Sequence, residues 1–391
     1  MIPVLVVGGI NVISTLIDFG IMTLIYLLVA LTINLEFGYA GVPNFGKVLF
    51  VAAGGLFSGS LSYYLMAWIL NIRESGSDLL SNQFRLHNSM DLALNAHPVL
   101  DLGIFLFMIA VGASCGAIFG FVASYPAIRL REDYLAMLLL AAGEFFLIFV
   151  QAYSPITDGP DGLLIPDVLG FTGSILDYRQ VVLLGLLALF TVGVYFYAEK
   201  VARSPLGRTL RAVRDNEISS AAFGKNNVAI RRNILIVGSA ISGIAGALVV
   251  TQSAYISPET FVRQFFTLYP FVVVILGGAA NNFGMVVGAI SFEGIIDFVT
   301  NFQTYAGSHN ISIPIDLNAV TPIAIGSLLI VVLYFRPKGL ISEKPSKTLK
   351  KSELLRIKER AEKTTESVKE EDKKNGLETS DASAAGDGPG G

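Results

Sequence analysis

The sequence predicts an all-α, polytopic transmembrane helical bundle. Composition, charge placement and the recurrence of long apolar runs each point that way. The 391 residues are 53% hydrophobic with a mean hydropathy of +0.61, and only 15% are charged. A typical soluble domain is about a quarter charged. Residues 336–391 hold 13 Lys/Arg and 11 Asp/Glu, so the first 335 positions keep 15 basic and 20 acidic residues. That is too little charge to cover a water-facing surface. Apolar runs of about 20 residues, the length a bilayer-spanning helix needs, recur along the chain.

The candidate spans fall at roughly 12–34, 46–70, 101–124, 134–153, 179–199, 233–253, 266–280, 283–300 and 319–335. That makes about nine, with eight to ten compatible with the pattern. The runs at 266–280 and 283–300 are short and separated by GGAANNFG, so they fit either two spans or one broken hairpin. The first run has no basic stretch before it and no small-residue cleavage site after it, so it is expected to be a retained helix. The loop at 200–232 carries eight basic residues against Asp215 and Glu217. The positive-inside rule places it in the cytoplasm. Counting outward puts the N-terminus and the loops at 71–100 and 154–178 outside, and the tail inside. Tyr63, Tyr64 and Trp68 then fall near an outer interface, where aromatic residues collect. The membrane domain is expected over 1–340. The charged tail, 341–391, alternates in sign at helical spacing and ends in a Gly/Ser/Asp-rich stretch of disordered composition.

Few residues suggest chemistry. Cys115 is the only cysteine and sits in an apolar run, as a small core residue would. His87, His97 and His309 are scattered through polar loops without metal-ligand spacing. No cofactor, metal or nucleic-acid partner is expected. GVPNFGKV, Gly41 to Val48, stands one residue short of a phosphate-binding loop, with Val48 where Ser or Thr should hold magnesium. Both flanks are membrane spans, so a nucleotide site is rejected. Gly38, Gly41, Pro43 and Gly46 instead suggest broken helix, which at membrane depth persists only where it is buried in protein or lines a cavity. GGAANNFG, with Gly277 and Gly278, echoes that segment in the last third of the chain. A paired pathway element and two ordinary tight turns both fit.

RSPLGRTLRAVRDNEISSAAFG, residues 203–224, reads as one amphipathic helix. Leu206, Leu210 and Val213 share a mostly apolar face with Glu217 and Ala221. Arg208, Arg211 and Arg214 lie on or beside other faces. Ser204 fits the N-cap, Pro205 the first turn and Gly224 the C-cap, and Arg211 is spaced to pair with Asp215. An anionic lipid surface, a soluble partner's groove and plain solvent could each accommodate it. Asp18, Glu36, Glu144, Glu293 and Asp297 fall within or near spans, where carboxylates are costly and are candidates for a proton or cation site. Structural, hydrogen-bonded carboxylates are the plainer reading. Glu144 is expected to be the deepest.

SPLGRTLRAVRDNEISSAAFG resembles the cytoplasmic signature of LivM-type ABC importer permeases for branched-chain amino acids. NLEFGYAGVPNFG, RLREDYLAMLLLAAGEFF, TDGPDGL, YISPETF, VVVILGGAANNFGMVVGA and FRPKGL resemble further segments of that family, in order, over most of residues 30–340. The departures are Glu132 and Asp158 where glycine is usual, the pair Asn281-Asn282, a longer outer loop at 71–100 and a longer tail. The resemblance implies a non-enzymatic permease subunit. Its partners would be a second permease, two ABC ATPase subunits, an extracytoplasmic solute-binding protein and the lipid membrane. Gly207, Arg208, Arg211, Arg214, Asn216, Glu217 and Gly224 would belong to the ATPase-coupling helix. Gly38, Gly41, Asn44, Gly46, Glu144, Gly277 and Gly278 would line or shape the pathway. Relatives of this architecture carry branched-chain amino acids, and others carry urea or short amides. An ion-coupled secondary transporter using the intramembrane carboxylates is the leading rival.

Overall fold

The computed structural model describes residues 6–7, 10–71, 82–130, 132–170, 176–308 and 317–343. The charged tail beyond Glu343, the loop residues 72–81, His309 and the side chain of Glu132 lie outside the described residues.

Seven described helices are long and apolar enough to cross a membrane, and Gln264–Gly277 and Ala319–Phe335 are two shorter ones. The expected nine apolar segments therefore divide into seven full-length and two short. Beside the single-turn helix Ser154–Thr157, the described α-helices in chain order are α1 (Val12–Ile33), α2 (Lys47–Ile69), α3 (Gln83–Ala96), α4 (Pro98–Arg129), α5 (Glu132–Ala152), α6 (Leu176–Arg203), α7 (Pro205–Asp215), α8 (Glu217–Ala222), α9 (Asn227–Ser253), α10 (Tyr269–Gly277), α11 (Asn282–Ser308) and α12 (Leu317–Phe335).

The centre of the bundle is α1, α2 and α9, with α4 against α9 and α2. Lipid removes the hydrophobic drive between helices, so close backbone packing at small residues has to hold them together. A Cβ on Gly243 of α9 would overlap the carbonyl oxygen of Gly112 and lie 3.0 Å from Cα of Gly116 on α4. Any larger residue at that crossing would force the two helices apart. The outer helices carry their large apolar side chains outward, as a lipid-facing surface demands: Phe145 and Phe149 on α5, Leu189 and Phe196 on α6.

Successive spans alternate in direction, so the connections sort to two ends. At one end α3, the turn at 154–162 and the ribbon pairing Leu163–Leu164 with Tyr255–Ile256 interlock. Gln83 Nε2 donates to Gly162 O at 3.3 Å, and Leu164 N donates to Gln83 Oε1 at 2.9 Å. Asp158 adopts φ +58°, a left-handed conformation that aspartate tolerates better than most residues, so the departure from glycine there keeps the turn. Tyr63 is buried rather than part of an interfacial belt, whereas Trp68 is exposed. At the other end lie α7, α8, the α10–α11 turn and residues 336–343.

Two spans lose helical geometry. From α1 the chain runs into a π-helical turn, Asn34–Tyr39, then through non-helical backbone with Gly41 at φ +71° before α2 begins. On the other side, a 3-10 turn at Pro258–Thr260 and a π-helical stretch at Gln264–Leu268 precede α10. π-helical turns of this kind concentrate at functional sites.

Candidate functional site

Three groups of polar residues stand out against the apolar bundle. The first is the basic loop. Ser204 Oγ accepts from Gly207 N at 3.3 Å and Pro205 fills the first turn, so α7 starts where its caps dictate. A Cβ on Gly207 would strike the carbonyl oxygens of Val201 and Ala202, so glycine permits the sharp corner out of α6. The single expected helix is in fact two. Asn216 is extended at φ −159°, and its side chain accepts from Ser219 N at 2.9 Å, capping α8. Asn216 favours a cap over a helix interior because its short side chain competes for backbone donors. Gly224 takes φ +74° at the end of α8. Leu210 and Val213 turn inward, while Leu206, Ile218 and Phe223 are exposed, the last two at 84%. Arg208 is exposed. Glu217 pairs with Arg231 at 3.2 Å.

Arg211 and Arg214 face the protein rather than solvent. Arg214 Nη1 donates to Gly38 O at 2.7 Å, and the same guanidinium pairs with Glu343 at 3.1 Å and Asp215 at 3.0 Å. Arg211 pairs with Glu343 at 3.2 Å and lies over the Tyr39 ring at 5.1 Å. The expected Arg211–Asp215 pair is therefore replaced by a clasp of both arginines on Glu343. Burial lowers the basicity of Arg214, but the hydrogen bonds and charges of Asp215 and Glu343 outweigh it and raise the pKa. A Cβ on Gly41 would stand 2.9 Å from Arg214 Cγ. The broken end of α1 and the basic loop thus meet in one place.

The second glycine segment joins them. GGAANNFG forms the tight turn between α10 and α11, with Gly278 at φ +101°. Asn34 bridges the two segments: its Oδ1 accepts from Ala280 N at 2.7 Å and its Nδ2 donates to Asn282 Oδ1 at 2.9 Å. Asn281 caps α11 by accepting from Phe283 N at 3.2 Å and holds Ser342 O at 3.1 Å. Residues 336–343 run beneath α10 as a strap. Leu340 N and Ile341 N donate to the last α10 carbonyls, Leu276 O at 2.8 Å and Gly277 O at 3.1 Å. The strap satisfies helix-end acceptors that would otherwise be orphaned, and it delivers Glu343 to the arginines.

The second group is fully buried. Lys47 Nζ and Glu36 Oε1 lie 2.7 Å apart with both side chains at 0% exposure. Asn44 Nδ2 donates to Glu36 Oε2 at 2.8 Å, and Lys47 Nζ donates to Ser242 Oγ at 3.3 Å. A Cβ on Gly238 would overlap Glu36 Oε1, so glycine makes room for the carboxylate. Gly46 lies flush against the backbone of Leu139 on α5. The lysine of GVPNFGKV therefore holds a carboxylate of its own chain. Sequence reasoning noted Glu36 and missed Lys47. The available signal was a pair of opposite charges flanking a glycine-rich break in an otherwise uncharged stretch.

The third group is Glu144 with Arg263, paired at 3.0 Å with side chains 41% and 40% exposed. Glu144 is far less buried in the bundle than Glu36 and Glu293. Glu293 Oε2 has no hydrogen-bond partner among the described residues, and Asp18 accepts from Gln180 at 3.4 Å. The structure brings Gly38, Gly41, Gly277, Gly278, Arg211 and Arg214 together. It sets Glu144 apart from them. Among the described residues no group of three or more His, Cys, Asp or Glu could hold a metal ion.

An apolar multi-pass bundle with two broken spans, internal polar clusters and an organised basic loop defines a membrane transport subunit. Residues 15–333 match the family model of the branched-chain amino acid transport system permease component, and the chain belongs to that family. It is 32% identical over 321 residues to a probable branched-chain amino acid transport permease protein LivM of Methanocaldococcus jannaschii, covering 82% of this chain and 91% of that one. It is 25% identical over 349 residues to the high-affinity branched-chain amino acid transport system permease protein LivM of Escherichia coli, covering 83% of this chain and 69% of that one. The LivM of Salmonella typhimurium is similar to the same extent. No solved structure matches.

Proposed function

We propose that this chain is one of two permease subunits of an ATP-driven importer for branched-chain or related amino acids, with solute delivered by an external binding protein. One observation carries the reading. The α7–α8 elbow presents Leu206, Ile218 and Phe223 to solvent while its arginines grip Gly38 and Glu343 behind it. Exposed apolar side chains on a short, well-capped pair of helices suit docking into a partner's groove. The arginines behind them suit transmission to the broken end of α1. In this reading the loop is cytoplasmic, the ATPase binds the apolar tip, and Arg211 and Arg214 pass its movement inward. ATP binding on separate subunits would bias a two-state equilibrium between outward- and inward-facing bundles.

The test is purification of the chain from its native membrane in mild detergent, followed by mass spectrometry. Co-purification of an ABC ATPase and a second permease is the expected result. Recovery of the chain alone, with uptake that does not need ATP, would overturn the reading and favour an ion-coupled transporter.

A further inference from the structure

Glu144 and Arg263 occupy an awkward position for lipid. Glu144 lies eight residues before the end of α5 at Ala152, or about 12 Å at 1.5 Å per residue. That depth is well inside the hydrocarbon of a bilayer whose apolar core is about 30 Å thick. Charged side chains at such depth face a protein interior or water, not lipid. Yet both side chains are about two-fifths exposed in this subunit. The face that bears them must be turned toward a second subunit or an aqueous path.

The pair opens onto a cavity of about 200 Å³ between α5 and the irregular segment before α10. Its polar lining is Glu144, Gln151, Glu259 and Arg263. Glu144, Leu147, Ile148 and Gln151 follow helical i, i+3, i+4, i+7 spacing, so one stripe of α5 forms the wall. Leu147, Ile148 and Val262 supply apolar surface beside the charges.

We propose that this cavity is a transport subsite for a zwitterionic α-amino acid with an aliphatic side chain. The inference rests on the importer reading and assigns the residues that would hold its solute. Two carboxylates and one guanidinium leave a net negative cavity that attracts an ammonium group. An arriving ammonium takes Glu144, and Arg263, released from that pairing, receives the substrate carboxylate in the two-pronged manner suited to guanidinium. The aliphatic side chain lies against Leu147 and Ile148. Neutral urea or a short amide offers neither charge and has no use for the pair.

The experiment uses the full transporter, purified with its partner subunits and reconstituted in proteoliposomes, and the same complex in detergent without the binding protein. The probes are leucine, 4-methylpentanoate, which lacks the ammonium, and 3-methylbutylamine, which lacks the carboxylate. Leucine should raise the thermal midpoint of the wild-type complex, and each half-analogue should do so less at equal concentration. Glu144→Gln and Arg263→Gln should each weaken the leucine effect roughly tenfold or more, the scale of a lost charged hydrogen bond. Glu144→Asp should retain most of it. Leucine uptake should show a higher KM with the ATPase and second permease still bound. If wild type imports leucine with ATP but the variants leave leucine binding and KM unchanged, the subsite is wrong and the importer reading stands. If the variants instead shed the second permease, the pair is an interface contact and the subsite is equally wrong. Wild type without ATP-dependent uptake would overturn both.

Discussion

Two of the ion pairs among the described residues, Lys47 with Glu36 and Glu144 with Arg263, differ in almost everything but their chemistry. Lys47 and Glu36 are wholly buried, and Asn44 and Ser242 complete their hydrogen bonds. Glu144 and Arg263 are about two-fifths exposed at the edge of a cavity. A buried pair that is fully satisfied holds segments in place. It ties the broken end of α1 to the start of α2 and to α9. A half-exposed pair keeps its charges available for exchange with something else. Burial, more than residue type, separates a structural charge from a recognising one.

That contrast can be broken most severely at Lys47. Lys47→Met leaves the Glu36 carboxylate buried without its cation, which costs about 3–5 kcal/mol. The expected result is a large drop in the thermal midpoint of the purified protein, or loss of folded protein from the membrane. Adding Glu36→Leu should recover much of the loss, because replacing both charges of a buried pair by apolar residues is often near neutral. Recovery should stop short by about 1–3 kcal/mol, since Asn44 Nδ2 loses its acceptor. If the single and double variants are equally damaged, the site does more than hold the chain in place.

The next largest effect is expected at the junction of the two glycine segments. Gly41→Val places a β-branched residue at φ +71° and against Arg214, at a cost of about 1–3 kcal/mol. On the importer reading, uptake should fall to background while the ATPase remains attached, because the strain falls at the broken end of α1 and not on the exposed tip of the elbow. Glu343→Ala removes the shared carboxylate from Arg211 and Arg214. Since these groups are partly exposed, about 1 kcal/mol or less of stability is at stake. ATP hydrolysis should persist while uptake per ATP falls. Glu343→Asp should restore part of the ratio, which a merely structural contact would not do.

The bundle was legible because hydropathy over some twenty residues reports spans with little ambiguity. The start of α7 and the end of α8 were legible for a similar reason: Ser204, Pro205 and Gly224 act within four residues of themselves. What escaped was long-range pairing. Nothing local predicts that Glu343 reaches Arg211 and Arg214, that Asn34 bridges to Ala280 and Asn282, or that Arg263 meets Glu144. Asn216 misled for a physical reason. The apolar period continues through it, but its side chain stabilises a new helix start better than a continuing one. The exposure of Glu144 was equally hidden, because sequence gives position along a helix and says nothing about which side of the bundle that helix faces.

The smallest change in stability, and the sharpest test of the contrast, is expected at Glu144. Glu144→Gln removes one charge from a pair that water or a partner can already reach. The thermal midpoint without solute should shift by no more than the equivalent of about 1 kcal/mol, against several for Lys47→Met. A destabilisation comparable with that of Lys47→Met would show that Glu144 and Arg263 are a second structural lock, closed in the assembled transporter. A small shift in the absence of solute, combined with a large loss of leucine-dependent stabilisation, is the combination only a recognition pair would give. The ratio of those two effects therefore separates the roles even if assembly alters the exposure of either pair.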